Sequence, residues 1–274
     1  MEEIILLILL GVGIGTIGTL IGAGGGFILV PLLLLIYPGL SPEKITAISM
    51  AVVAANATSG SFAYIRSGRV DFKAGVIFAI CTIPGSILGV YTTRIIPRDV
   101  FNIIFGVILI SLAILLFIRG KEKKNVSRQP KYKKAWVEQT IYDKMGHVYQ
   151  YAYDLRIGIG ISILVGYFSP LLGIGGGIIH VPALVQWLYF PVHIATATSH
   201  FILAIMSIVS VIVHMTNGVY KDPFILKMTI SIIVGVIPGA QLGAFLSAKL
   251  KGKIIVKALA VSLAIVGIRI LLLG

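Results

Sequence analysis

Two glycine-rich blocks are the residues of this chain whose types and spacing best suit the binding of a ligand. The first reads GAGGGFILVP over residues 22–31 and the second reads GIGGGIIHVP over residues 173–182, so they lie 151 positions apart (173 − 22). Glycine adopts positive φ and lets other groups approach the backbone, while proline fits the first turn of a helix. Each block therefore predicts a broken helix followed by a new helix start.

A new helix start is a place where an anion can bind. It leaves about four N–H groups unpaired and a partial positive charge of roughly +0.5 at the helix end. Within a membrane, such backbone is tolerated only where protein buries it or where it lines a watery cavity. Two matching breaks therefore indicate an anion site inside the protein, although glycines of this kind also permit close helix crossings without a ligand.

The rest of the chain has the composition of a membrane protein. Of its 274 residues 57% are hydrophobic and 12% are charged, and the mean hydropathy is +1.01. Seven apolar stretches each have about the 20 residues that a bilayer-spanning helix needs. They are residues 4–21, 45–65, 74–91, 100–118, 194–214, 223–246 and 254–273. We therefore predict an all-α, polytopic helical membrane protein.

Further motifs recur in the same order as the glycine blocks, which predicts a duplicated unit. Ala47-Ile48-Ser49 corresponds to Ala197-Thr198-Ser199, and Pro84-Gly85 with Gly89 corresponds to Pro238-Gly239 with Gly243. We expect two membrane repeats, at 1–118 and 157–274, joined by a linker at 119–156. Internal repeats are typical of secondary transporters, whose substrates bind near the middle of the membrane between the repeats.

The stretch over residues 4–37 leaves two topologies open. It would extend about 51 Å as one helix, whereas one crossing needs about 30 Å. A single broken crossing gives four spans in each half and parallel repeats. A turn back at the glycines gives a short re-entrant segment, five segments in each half and inverted repeats. We expect about eight spans, with glycine-broken or re-entrant segments at Gly22–Gly26 and Gly173–Gly177.

The net charge of +13 is concentrated in the linker, which holds ten basic and four acidic residues. Such a cluster beside membrane helices is typical of a cytoplasmic loop, so we expect a multi-pass protein of the plasma membrane rather than a nucleic-acid-binding protein. Residues 140–153 alternate in polarity around Lys144-Met145-Gly146-His147, which predicts a short β-hairpin.

The acidic residues favour an anion over a cation as the substrate. All ten Asp and Glu residues lie at predicted span ends or in loops, whereas cation and proton transporters commonly carry carboxylates within the membrane. The absence of paired carboxylates also excludes hydrolysis by such a pair. Cys81 is the only cysteine, so no thiolate metal site is expected, and we expect no cofactor.

Polar side chains within the predicted spans are candidates to complete the site. His180 and His200 correspond to Leu29 and Met50, so the site should be asymmetric. Either histidine could titrate near neutral pH and couple proton movement to an anion, or could be a structural, helix-bonded residue. The candidate substrate-binding residues are Gly24, Gly25, Gly26, Ser49, Asn56, Ser59, Gly175, Gly176, Gly177, His180, Thr198, Ser199, His200 and Gln241.

The ordered, duplicated motifs resemble those of the TauE/SafE sulfite exporter family over nearly all of both halves. The resemblance implies a membrane carrier for sulfite, an organosulfonate or a related small sulfur anion. It carries over to this set of positions: Gly22, Gly24, Gly25, Gly26, Pro31, Ser49, Gly173, Gly175, Gly176, Gly177, Pro182, Thr198 and Ser199.

We therefore predict a secondary transporter, and specifically an exporter, with the small anion and the lipid bilayer as its partners. A passive anion channel and a carrier of another small organic anion are the alternatives. A membrane enzyme with His180 or His200 as its base is disfavoured, because no carboxylate, cysteine pair or nucleophile accompanies these histidines.

Overall fold

The computed structural model describes residues 2–119 and 136–250, together with residues 254, 257, 261, 264, 265 and 268. Its long helices are α1 (Glu2–Ile21), α3 (Pro42–Arg66), α4 (Phe72–Ile95), α5 (Arg98–Arg119), α6 (Leu155–Leu172), α8 (Val192–Thr216) and α9 (Pro223–Lys249). The short helices are α2 (Gly26–Ile36), α7 (Gly177–Gln186) and a 3₁₀ turn at Val219–Lys221. Two strands, β1 (Trp136–Tyr142) and β2 (Val148–Asp154), precede α6.

Six of the described helices are long and apolar enough to cross a membrane, namely α1, α3, α4, α6, α8 and α9. The apolar helices α2 and α7 have only 11 and 10 residues, which is about 16 Å each. The protein is therefore a polytopic helical membrane protein. The count of about eight spans stays a prediction.

The chain turns back at its first glycine block. Helix α1 runs parallel to α9, because Gly11 faces Ile232 and Gly15 faces Val236. The start of α9 lies beside the start of α3, where Lys44 Nζ is 2.9 Å from an oxygen of Asp222. Helices α1 and α3 therefore begin on the same side of the molecule, and α2 returns part of the way between them.

The second glycine block also turns the chain back after a long helix. Here the long helix α6 runs in the direction opposite to that of α1. Helix α6 begins directly after β2 and runs parallel to α4, and α7 returns toward the strands. Helices α3 and α8 cross the centre antiparallel to each other, since Val53 packs near Leu203 and Gly60 lies against His200. The order of helices thus fits the topology with short re-entrant segments and inverted repeats, and the duplication itself stays a prediction.

Glycines allow the parallel helix pairs to touch through their backbones. A Cβ atom on Gly15 of α1 would lie 2.6 Å from the carbonyl oxygen of Val236 in α9, and one on Gly85 of α4 would lie 2.7 Å from the amide nitrogen of Tyr167 in α6. Since lipid tails are as apolar as the helix surfaces, helix association in a bilayer depends on such close packing. These two pairs enclose the central helices α3 and α8.

The linker contributes an antiparallel hairpin in which Trp136 pairs with Asp154 and Tyr142 pairs with Val148. Tyr151 and Tyr153 on β2 are buried, and both rings pack against Phe190 after α7. The hairpin therefore contacts the chain at the end of the short helix α7. The basic residues at 120–135 lie outside the described part of the chain.

Replacement of Gly15 by alanine should destabilise the protein, because the added methyl group would push α1 away from α9. Overpacking of this kind costs about 1–3 kcal/mol. The matched control is Gly13→Ala on the same helix, where a Cβ atom meets nothing within 4 Å, so helix propensity should make that variant neutral or more stable. Thermal unfolding in detergent measures both, and equal melting temperatures would contradict the close contact.

Candidate functional site

The two glycine blocks form sharp turns between a long helix and a short one. The first links α1 to α2, and the second links α6 to α7. Five glycines of the blocks have φ between 67° and 84°: Gly22, Gly24, Gly25, Gly173 and Gly175. A residue with a side chain is strained in this left-handed region, so these turns require glycine.

The two turns pack directly against each other at the centre of the protein. A Cβ atom on Gly26 would clash with the carbonyl of Gly173, and a Cβ atom on Gly177 would clash with the carbonyl of Gly22. Each new helix start therefore rests on the backbone of the other turn. The sequence allows two interpretations of the glycines, close helix packing and an anion site. The close packing is present, and it lies at the position predicted for the anion site.

Hydroxyl groups from the central helices hold each turn from the opposite half. Ser49 Oγ on α3 donates a hydrogen bond to the carbonyl oxygen of Gly173 at 2.5 Å. Ser199 Oγ on α8 donates to the carbonyl oxygen of Gly22 at 3.5 Å, which is a long and weak contact. The structure thus brings both serines to the glycine turns, where they bind carbonyl groups.

Neither helix start is capped by a side chain, but the surroundings of the two starts differ. A Cβ atom on Gly176, before α7, would meet Val165 at 2.6 Å and Met206 at 3.1 Å. On the α2 side, a Cβ atom on Gly18 would lie 2.5 Å from the amide nitrogen of Gly25 and 2.8 Å from Asn56 Nδ2. The start of α7 also has a polar group near it, because the same Cβ atom on Gly176 would lie 3.5 Å from Ser169 Oγ, which is buried without a partner among the described residues. The two starts therefore differ in the kind of polar group beside them, a hydroxyl group at α7 and an amide at α2.

A chain of buried polar groups extends from that helix start. Thr19 Oγ1 donates to Asn56 Oδ1 at 2.7 Å and lies 3.2 Å from His200 Nε2. Tyr64 donates from its hydroxyl group to the carbonyl oxygen of Thr19 at 2.7 Å, and its ring meets the His200 ring edge-on. Within the described residues, Asn56 Nδ2 and His200 Nδ1 are buried without a hydrogen-bond partner.

The other candidate side chains lie away from the turns. His180 Nε2 is 3.3 Å from Ser162 Oγ on α6. Thr198 Oγ1 accepts a hydrogen bond from the backbone N–H of Asp71 at 3.0 Å, at the start of α4. Gln241 Nε2 donates to Ser59 Oγ at 2.8 Å on a partly exposed surface between α3 and α9. The structure thus does not bring these four side chains to the glycine turns.

Sequence reasoning missed Thr19 and Tyr64, and it did not single out Gly18 and Gly60. A Cβ atom on Gly60 would lie 2.6 Å from His200 Nε2, so this glycine makes room for the imidazole ring. The available signal was the pairing of glycine with a polar neighbour, in Gly18-Thr19 and in Gly60-Ser61. That pattern is common in membrane helices and carries little information by itself.

Comparison with known proteins identifies the family. The model of the family described as sulfite exporter TauE/SafE matches residues 7–270. The chain belongs to this family. The probable membrane transporter protein YunE of Bacillus subtilis is 33% identical over 220 residues, which cover 78% of this chain and 79% of that protein. No solved structure matches the chain.

More distant relatives carry similar names. A probable membrane transporter protein of Methanocaldococcus jannaschii is 27% identical over 242 residues, which cover 83% of this chain and 82% of that protein. YdhB of Bacillus subtilis, also a probable membrane transporter protein, is 26% identical over 232 residues and 85% of each chain. Membership of the TauE/SafE family therefore supports membrane transport as the activity.

This TauE/SafE protein also has a polar cluster where the hairpin meets the ends of α3 and α4. Asp143, at the hairpin turn, accepts hydrogen bonds from the backbone N–H groups of Met145 and His147. Its carboxylate lies 3.1 Å from His147 Nδ1 and 3.4 Å from Arg69 Nε. Burial acts to raise the pKa of Asp143, but the hydrogen bonds from His147 and Met145, with the charge of Arg69, outweigh burial and lower this pKa.

A second buried carboxylate joins the strands to the helices. Asp71 caps α4 by accepting from the N–H of Ala74, and its other carboxylate oxygen accepts from the hydroxyl group of Tyr151 at 2.7 Å. Burial, and then the charge of Asp71, raise the pKa of Tyr151. Since Thr198 binds the same residue, this cluster ties the hairpin to α4 and α8.

Replacement of Asp143 by asparagine should release the hairpin from the helix ends. A hydrogen bond to a charged group contributes about 1.5–3 kcal/mol, and Asp143 makes several. Because the folded-state pKa is lowered, the contribution is fully present above the pKa of an unfolded aspartate, about 4, and is lost as the pH falls through the lower folded value. Docking should therefore persist from neutral pH down to about pH 4 in the wild type.

Hydrogen exchange of the amides in β1 and β2 measures this docking. Asp154→Asn is the matched control, since Asp154 caps α6 through the N–H of Arg156 and asparagine caps helices equally well. Equal exchange in the Asp143→Asn and Asp154→Asn variants would show that Asp143 does not hold the hairpin.

Proposed function

We propose that the protein is a secondary transporter that exports a small sulfur-containing anion, such as sulfite or an organosulfonate, across the plasma membrane. One observation carries the proposal. The start of α2 has no side-chain cap, and the amide nitrogen of Gly25 before it and Asn56 Nδ2 both lie within 2.8 Å of the position of a Cβ atom on Gly18. Asn56 Nδ2 is a buried donor without a partner among the described residues. A helix start and an amide donor together suit the oxygens of a sulfite or sulfonate group.

The packing of the two turns favours a carrier over a passive channel. Gly26 rests on Gly173, and Gly177 rests on Gly22. Even a Cβ atom on Gly18 would clash with Gly25 and with Asn56, so the structure leaves no open space beside Asn56. An anion would enter after the two helix turns move apart. A carrier undergoes such a rearrangement in each cycle, whereas a channel needs a continuous open path.

The proposed topology follows from the same helices. We infer that residues 1–118 and 157–274 form inverted repeats, because α3 and α8 run antiparallel and each half turns back at its glycine block. In transporters built this way, the substrate binds at the interface of the repeats. We place the linker on the cytoplasmic side because of its basic residues.

Replacement of Asn56 by leucine, which has the same branched shape without polar atoms, should abolish most of the anion binding. Loss of one hydrogen bond to a charged group costs about 1.5–3 kcal/mol, or roughly tenfold to a hundredfold in affinity. Thermal stability of the purified protein against sulfite, methanesulfonate, sulfoacetate, taurine, sulfate and phosphate measures the binding, since a ligand of the folded state raises stability by mass action.

Asn102→Leu is the matched control. Asn102 is also a buried asparagine of a long helix with an unpartnered side-chain oxygen, but it lies on α5. Stabilisation by one sulfur anion that survives in Asn102→Leu and is lost in Asn56→Leu supports the site. Equal responses of the two variants would remove Asn56 from the site, and a wild type that no anion stabilises would contradict the proposed function. Counterflow in proteoliposomes separates a carrier from a channel.

A further inference from the structure

We propose that His200 takes up a proton when the anion binds, so that the transporter moves its anion together with a proton. This inference rests on the proposed function, because it requires the anion to bind at the start of α2. It adds the coupling ion and the residue that binds it. The proton would come from the aqueous solution and bind the lone pair of His200 Nδ1, so one N–H bond forms as the bond to hydrogen in the water or buffer donor breaks.

The hydrogen bonds of Thr19 determine which nitrogen of His200 carries hydrogen in the empty protein. The hydroxyl group of Thr19 has one hydrogen, and it is donated to Asn56 Oδ1 at 2.7 Å. The Thr19 oxygen can therefore only accept from His200 Nε2, at 3.2 Å. A neutral imidazole has a single N–H group, so Nδ1 carries a bare lone pair. This atom is buried and has no hydrogen-bond partner among the described residues.

The groups that face His200 offer no negative charge. Thr19 faces it from α1, and Gly60 and Tyr64 face it from α3. The backbones of Asn56 and Gly22 also lie within reach of the imidazole, and they are uncharged. The nearest titratable group in this set is Tyr64, whose hydroxyl group already donates to the carbonyl oxygen of Thr19.

The charged residues beyond Tyr64 are Arg69 and Asp71, at the loop between α3 and α4. Arg69 pairs with Asp143, and Asp71 binds Tyr151. Since a buried charge is costly unless it is paired, an imidazolium at position 200 lacks a counter-charge until an anion arrives.

The proposed anion position lies at the other end of the same chain of hydrogen bonds. Asn56 would donate from Nδ2 to the anion while its Oδ1 accepts from Thr19, and Thr19 accepts from His200. An anion there provides the negative charge that an imidazolium needs, and the imidazolium reduces the charge that the anion brings into the membrane. Each therefore favours the binding of the other, as two linked ligands do.

The second glycine turn has no such arrangement, which provides a control. His180 is also a buried histidine with an unpartnered Nδ1 atom, but its Nε2 contacts Ser162 rather than a residue of the polar chain. His180→Gln should therefore leave the coupling intact. His200→Gln retains a side-chain amide that can donate to Thr19 but cannot titrate near neutral pH.

Calorimetry of anion binding in two buffers with different enthalpies of ionisation counts the protons taken up. Methanesulfonate is the first probe because its sulfonate group stays ionised, and sulfite follows after subtraction of its own proton binding. We expect about one proton per anion near neutral pH in the wild type and in His180→Gln, and about none in His200→Gln. In the wild type, the affinity should fall by up to about tenfold per pH unit as the pH rises.

Each outcome decides something. Anion binding without proton uptake in the wild type would overturn the inference and leave the anion site standing. Proton uptake that persists in His200→Gln would assign the proton to another residue and overturn it as well. Binding of no anion by the wild type would overturn both proposals. If His200→Gln does not fold, which its melting curve reports, His200→Asn replaces it, since asparagine is smaller and also cannot titrate near neutral pH; proton uptake that persists in His200→Asn would overturn the inference.

Discussion

A broken helix inside a membrane must have its open backbone enclosed by protein, and the rest of this structure depends on that constraint. Lipid cannot bind the exposed N–H and carbonyl groups, and each unpaired group costs several kcal/mol there. Here the two breaks enclose each other. Gly26 and Gly177 rest on the carbonyls of Gly173 and Gly22, and Ser49 binds the Gly173 carbonyl from the opposite half. Neither half can bury its own turn alone, which explains why the chain needs both blocks.

The surrounding helices follow from the same requirement. Turns that meet backbone to backbone require their helices to approach closely, and the parallel pairs α1 with α9 and α4 with α6 do so through glycines such as Gly15 and Gly85. The central pair, α3 and α8, runs antiparallel and delivers one serine to each turn. Because these contacts are between backbones, each pair packs closely along its length. The carrier that we propose would move such pairs as units.

The glycine pattern predicted the positions of the helix breaks and the composition predicted a polytopic helical protein, but neither predicted which polar side chains meet the breaks. Thr198, Ser199 and His200 are consecutive, so their side chains point about 100° apart around α8. Thr198 contacts Asp71, Ser199 contacts the Gly22 carbonyl, and His200 contacts Thr19. Their spacing in the sequence is equally compatible with any of the three facing the site. Thr19 was not identified because its partners, Asn56 and His200, are 37 and 181 residues away in sequence.

The two halves have similar backbones at their glycine turns but different side chains around the helix starts that follow. Both have an uncapped short helix after a glycine turn, yet the start of α7 faces Val165, Met206 and the hydroxyl group of Ser169, and the start of α2 faces the amide of Asn56. An unpaired buried donor lowers stability, by about 1–3 kcal/mol, and packing alone would be served as well by an apolar residue such as Met206. In the function that we propose, a bound anion supplies the acceptor that Asn56 Nδ2 lacks. The opposite turn has only the hydroxyl group of Ser169 nearby, and a serine hydroxyl can bond a carbonyl of its own helix, whereas the amide of Asn56 has no such local partner.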